Sequence, residues 1–260
     1  MSAPTTSTNA NTVTPGAAPM MQTILAQTRA ELTMAVRRGE SLLVTIVIPT
    51  GLLIVFMGLP IVPGTTGDKI AFLLPGILAA AIMSTSLVSL GIATGYDRYY
   101  GSLKRLGSTP LPRWGLIVAK IVTVLAVEAA QTVLLVLMSV IFFGWRPDGS
   151  LPLALLVMLI GTAAFAGLGM LMAGTLRAEA TLAGANGLFL LFVIIGGVVL
   201  PLDHWPGFIQ WPAQMLPAAA LSDALRSALS PAGINGGSLI LLLVWAIVLL
   251  VAAALTFKWE

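Results

Sequence analysis

Few side chains in this sequence could make or break a covalent bond. There is no cysteine and a single histidine, His204, which excludes disulfides, thiolate nucleophiles, Cys-ligated zinc or iron–sulfur centres and any multi-His metal site within one chain. A phosphate-cradling loop needs a Gly-Lys step before Ser or Thr at the start of a helix. The four lysines follow Asp68, Leu103, Ala119 and Phe257, so no such step exists. Gly-x-Ser-x-Gly, His-Glu-x-x-His and Asp-rich calcium loops are missing as well. No catalytic residue and no metal ligand is assigned, and any energy source other than an ion gradient must come from a partner.

Polar chemistry remains in three places. Glu128 stands within an apolar stretch with Gln131 and Thr132 three and four residues on, so one helical face carries a carboxyl, an amide and a hydroxyl. A carboxylate inside a membrane is costly and faces a bundle interior, a cavity or a partner. The trio is read as a polar contact in a substrate path or at a dimer interface, the other reading being a hydrogen-bonded packing carboxyl. The second place is the basic stretch Asp97-Arg98-Tyr99-Tyr100-Gly101-Ser102-Leu103-Lys104-Arg105-Leu106-Gly107-Ser108-Thr109-Pro110, with Lys120 beyond it. Gly101 permits a sharp chain entry. Leu103 and Leu106 lie three apart on one helical face, and Lys104 and Arg105 face an aqueous partner, as a short amphipathic coupling helix requires; a plain positive anchor with interfacial tyrosines is the alternative. Third, Arg177 and Glu179 in a short connection are either a further partner contact or a surface pair. His204, beside Trp205, is read as a solvated or capping residue.

These residues need elements to hold them, and composition says which. Of 260 residues 58% are hydrophobic and 9% charged, against ~45–50% and ~25% in soluble chains. This is the composition of an integral membrane protein. The basic residues sit in short clusters between apolar runs and act as topology signals, so no nucleic-acid partner is expected. Continuous Leu, Val, Ile, Ala and Gly runs, without the alternation of a membrane barrel, predict an all-α fold. Six transmembrane helices are expected at about 41–62, 70–95, 115–143, 151–174, 181–200 and 238–257. Residues 1–19, rich in Ser, Thr, Asn and Pro, read as a disordered cytoplasmic tail before one domain over 20–260. Over 21–38, Met21, Ile24, Leu25, Leu32, Ala35 and Val36 fall near one face, predicting an N-terminal amphipathic interfacial helix. Pro201, Pro206, Pro212 and Pro217 cut the stretch 201–226 into pieces too short to cross, which predicts short re-entrant or interfacial helices before the last span. With both termini in the cytoplasm, ten basic residues lie inside and three (Lys69, Arg146, Arg226) outside, a positive-inside bias. Tryptophans 114, 145, 205, 211 and 259 mark span ends. Glycines such as Gly161, Gly167, Gly169, Gly184 and Gly187 leave the fourth and fifth spans thin for close packing.

The loop resembles that of ABC-2 type permeases, the membrane subunits of one class of ATP-binding-cassette exporters. There an acidic and basic lead-in precedes Gly-[Thr/Ser]-Leu-x-x-Leu-x-x-[Thr/Ser]-Pro, and a Lys follows. Gly101, Ser102, Leu103, Leu106, Thr109, Pro110 and Lys120 match in place, while Tyr100 stands where the family often has Glu. Leu216-Pro217 through Leu225-Arg226 resembles the family's outer segment. The resemblance covers nearly the whole chain and is nearest the drug-export branch. It implies a permease without its own ATPase site. ATP and Mg would sit on cytoplasmic ABC ATPase partners meeting the loop 97–110 and, second, Arg177 and Glu179. It further implies a second, identical or homologous, permease subunit in the cell membrane and export of a hydrophobic or amphipathic compound. The competing reading is a proton-coupled secondary transporter using Glu128, although no convincing internal repeat is present. A membrane-embedded enzyme fits less well, because Glu31, Glu40, Asp97, Glu179 and Glu260 each lie beside basic residues.

Overall fold

The structure is a computed structural model describing residues 20–37, 39–59, 65–102, 113–202, 205–231, 233 and 235–256. Every regular element among them is helical. In chain order these are α1 (Met20–Arg37), α2 (Gly39–Gly58), α3 (Thr66–Ile82), a seven-residue π-helical stretch (Met83–Ser89), and α4 (Leu90–Tyr99). Then follow α5 (Arg113–Phe143), α6 (Leu151–Thr175), α7 (Ala178–Ile195), α8 (Gly207–Gln214), α9 (Pro217–Leu229) and α10 (Gly236–Thr256).

Among the described residues, five helical segments are long and apolar enough to cross a membrane: Thr66–Tyr99, Ile117–Phe143, Leu151–Thr175, Ala178–Ile195 and Gly236–Thr256. They coincide with the second to sixth expected spans. The first expected span, 41–62, falls on α2, whose described apolar part is the shorter Val47–Gly58. The tail 1–19 lies outside the described residues.

Thr66–Tyr99 is the centre of the bundle. Its apolar core is 83% buried within the protein, against 22% for Ile117–Phe143 and Gly236–Thr256, so the latter two turn mostly to lipid. Lipid tails are as apolar as leucine, so small residues rather than hydrophobic gain bring membrane helices together. Gly169 of α6 backs onto the π stretch, where a Cβ would stand 2.9 Å from the carbonyl oxygens of Ser86 and Leu87. Gly161 and Gly167 likewise admit Leu221 of α9 and the backbone of α10, and Gly184 admits Met172. Gly187 differs: nothing lies within 4 Å of its would-be Cβ. Phe165 and Phe192 meet edge-to-face at 5.9 Å and join α6 to α7.

Three features depart from the sequence pattern. α7 ends at Ile195, and residues 196–199 are buried but not helical, so the fifth span ends five residues earlier than expected. Gly197 has φ +66° there, a left-handed conformation open to glycine. In α1, Ile24 is buried and Gln27, Thr28 and Glu31 are half-buried, whereas Met21 and Leu25 point away from the bundle. Trp145, expected at a membrane edge, is buried in the core with its backbone N–H donating to the Ser139 carbonyl at 3.0 Å. Two short helices, α8 and α9, do occupy the proline-punctuated stretch, with Pro206 capping the first and Pro217 opening the second.

Gly169→Ala should lower the thermal unfolding temperature of the purified chain in detergent, at a cost of roughly 1–3 kcal/mol, because only backbone faces the new methyl. Gly187→Ala should be neutral or stabilising by up to about 1 kcal/mol from helix propensity. Equal stability of Gly169→Ala and the parent would contradict this packing.

Candidate functional site

At one end of the bundle the charged residues of four elements converge. Lys120, on α5 and only 7% exposed, donates to Asp97 Oδ2 at 2.6 Å and lies 3.4 Å from Glu31 Oε1. A buried ammonium needs such partners, since desolvation otherwise drives it to the neutral form. Asp97 belongs to the last turn of α4 and Glu31 to α1, so one lysine fastens the N-terminal helix and the exit of the central helix to α5. Gln27 donates to the same Glu31 carboxylate oxygen at 3.1 Å. This inward strip explains why α1 turns Met21 and Leu25 outward.

Arg98, the next residue, points to the other side and donates to the Leu176 carbonyl at 2.8 Å. That carbonyl lies at the turn between α6 and α7, beside Arg177. Gly95, Arg98, Tyr99, Arg177, Ala178 and Glu179 line a recess of about 250 Å³. The two basic regions that are far apart in sequence, around 98 and around 177, thus form one surface. α4 ends at Tyr100, whose N–H bonds back to Tyr96 at 2.9 Å, and Gly101 takes φ +70° as the chain leaves the helix. Such a turn strains any residue with a Cβ, which supports the reading of Gly101 as a sharp entry. Tyr99 and Tyr100 project outward and pack edge-to-face at 5.1 Å. Ser102 follows in the described chain. Leu103, Lys104, Arg105, Leu106, Thr109 and Pro110 lie outside the described residues, as does His204.

The second cluster is at mid-bundle. Glu128 is 4% exposed and its Oε2 accepts from Thr162 Oγ1 of α6 at 2.5 Å. One turn further on α5, Gln131 Oε1 accepts from Thr85 Oγ1 of the π stretch at 3.0 Å. Glu128 and Gln131 therefore share a face, as their spacing predicts, and that face looks into the protomer. Thr132 is half-buried and stands outside both pairs. Glu128 Oε1 is buried with no hydrogen-bond partner among the described residues. The π stretch gives this layer its shape. Thr85 and Ser86 bond back to the carbonyls of Ala81 and Ile82 at 3.0 and 2.5 Å, and hydroxyls that bond back in this way loosen a helical ladder.

Sequence reasoning missed Thr85, Thr162, Glu31 and the partners of Lys120. The signal for the first was present as Ser84-Thr85-Ser86, three hydroxyls in the middle of an expected span. No sequence signal joins Glu31 to Lys120, because the two are 89 positions apart.

A family model described as ABC-2 type transporter matches residues 22–230, a stretch that contains both clusters. Over 190 residues the chain is 24% identical to the probable multidrug ABC transporter permease YbhS of Escherichia coli strain K12, a match covering 72% of this chain and 48% of the relative. The same figures hold for YbhS of Escherichia coli O157:H7. The chain thus spans about half the length of the curated relatives it matches.

Lys120→Met would leave Glu31 and Asp97 facing each other without a cation. It should cost about 1–3 kcal/mol, below the ~3–5 of a fully buried pair because Asp97 keeps some water. Lys120→Arg should restore most of it. Unfolding temperature, together with protease cleavage between α1 and α2, measures both effects; an undisturbed α1 in Lys120→Met would refute the fastening role.

Proposed function

The chain belongs to the ABC-2 type transporter family, and from that premise we propose that it is the membrane-spanning permease subunit of an ATP-driven exporter. The observation that carries this reading is the charged end of the bundle. There Asp97, Arg98, Lys120, Arg177 and Glu179 are gathered near the point at which the described chain leaves α4, where a cytoplasmic ATPase would press. The five spanning segments are completed by α2 as a sixth. α1 lies along the inner interface with Met21 and Leu25 toward lipid, and α8 and α9 are re-entrant or interfacial on the outer side. Both termini are cytoplasmic and the membrane is the cell membrane. Two permease subunits, identical or homologous, form the pathway.

In this mechanism the chain performs no bond chemistry. ATP and Mg are bound and turned over on the partner, and closure of the ATPase pair pushes the loop that begins at Gly101. The push enters α4 at Asp97 and Arg98. It reaches α5 and α1 through Lys120, and α6 and α7 through the Leu176 carbonyl, so that the bundle moves between inward- and outward-open forms. A multidrug permease among the relatives and the apolar character of the spans support a hydrophobic or amphipathic cargo of the drug, antibiotic or lipid-like kind.

One observation favours a second reading, a proton-coupled transporter. Glu128 is buried at mid-bundle with one oxygen unpaired among the described residues, as a proton-carrying carboxyl would be. Under the permease reading Glu128→Gln, which keeps an acceptor for Thr162, retains transport, whereas under the proton reading it abolishes it.

Purification of the tagged chain from its native membrane in mild detergent should bring down an ATPase with a phosphate-binding loop, and Leu106→Asp or Gly101→Pro should release it without loss of membrane insertion. Elution of the chain alone, with no ATP hydrolysis, would overturn the permease reading in favour of the proton-coupled one.

A further inference from the structure

At the end of the bundle opposite the charged cluster, a short unwound backbone is held by one side chain. Residues 196–199 run buried and non-helical beside α3, with Val198 fully enclosed. Helical peptide groups satisfy themselves, but unwound ones at membrane depth must be satisfied by the rest of the protein. Ser222 of α9 donates to the Gly196 carbonyl at 3.2 Å. Arg226, one turn on, holds the next two: Nη2 donates to the Gly197 and Val198 carbonyls at 2.5 and 3.2 Å, and Nε to the Phe72 carbonyl of α3 at 3.3 Å. Its guanidinium also lies 3.9 Å over the Phe72 ring. The Val198 carbonyl fits against α3 only because residue 76 is glycine; a Cβ there would collide with it. Pro75 beside it offers no N–H to the helical ladder, which weakens α3 where Arg226 grips it.

We propose that Arg226 is the latch of an outer mouth, which closes the pathway while it holds residues 196–198 against α3 and opens it when those three carbonyls are let go together. This deepens the permease reading and rests on it. Three features distinguish a latch from a fixed strut. The carbonyls released by one side-chain movement belong to two different elements, α3 and the unwound stretch, so the contact is made or broken as a unit. Arg226 Nη1 already bonds to Asp223 Oδ1 at 3.1 Å, and the Asp223 side chain is 40% exposed. The arginine therefore has a counter-charge on its own helix to retain when it leaves the carbonyls. Asp223 itself borders a groove of about 630 Å³, lined by Met215, Asn235, Ser238 and Leu241 among others, so the counter-charge faces open space rather than packed side chains. Gly197, with φ +66°, is the natural hinge of the released stretch.

The absence of native cysteine makes the test direct. Val198→Cys is placed in the full chain in intact cells, and a membrane-impermeant maleimide is applied from the face at which the exposed Phe208→Cys control reacts. Labelling should be at least five-fold faster in energised cells than in cells depleted of both ATP and proton gradient. Adding Arg226→Gln should make it fast under every condition, with Arg226→Lys in between. Slow labelling of Val198→Cys in energised cells that are exporting would overturn the latch and leave a static clamp, whatever Arg226→Gln does to folding. Removing ATP and the proton gradient separately tells a failure of the underlying reading apart. Opening that follows the gradient alone keeps the latch and sinks the ATP-driven mechanism.

Discussion

A peptide group in hydrocarbon has no water to bond, and every departure from a regular helix must therefore be matched by a donor or acceptor brought from elsewhere in the protein. This constraint organises the bundle. Where the central helix widens into the π stretch, Thr85 and Ser86 return their hydroxyls to the ladder and Gly169 closes the space behind it. Where the fifth span unwinds after Ile195, Ser222 and Arg226 take up the carbonyls. The first irregularity is answered from within its own helix and the second from a different one.

The central segment Thr66–Tyr99 meets polar side chains of other elements at three levels. Its outer end offers the Phe72 carbonyl to Arg226, its middle offers Thr85 to Gln131, and its inner end offers Asp97 to Lys120 and Arg98 to Leu176. Apolar contacts along the same helix slide at little cost, because lipid is an equally good solvent for them. The polar contacts are discrete, either made or broken. Buried along most of its length, the segment is thus pinned at three levels by such contacts.

Much of this was legible in the sequence because the membrane leaves few choices. Twenty apolar residues without a charge admit one secondary structure, and five of the six expected spans recur as spanning helices at nearly the expected limits. The shared face of Glu128 and Gln131 followed from helical period alone, and the left-handed turn at Gly101 from the residue type. The short helices at Gly207–Gln214 and Pro217–Leu229 followed from proline spacing. The fifth span was drawn too long because Gly196 and Gly197 are as apolar as their neighbours, and hydropathy does not register an unwound backbone. The partner of Glu31 was not legible for a related reason: Lys120, which stands against it, is 89 positions away.

Local chemistry alone determined that the described chain is helical and has the composition of a membrane protein. These properties depend on neighbours a few residues apart or on composition. Tertiary structure alone decided which polar groups meet. Arg226 on Gly197 and Val198, Thr162 on Glu128, Lys120 between Glu31 and Asp97, and Arg98 on the carbonyl beside Arg177 are all long-range pairs. Helical period states which face a side chain occupies but not which helix will stand opposite. That choice is made by close glycine contacts and by the need to satisfy each buried polar group, and both exist only once the whole bundle has assembled.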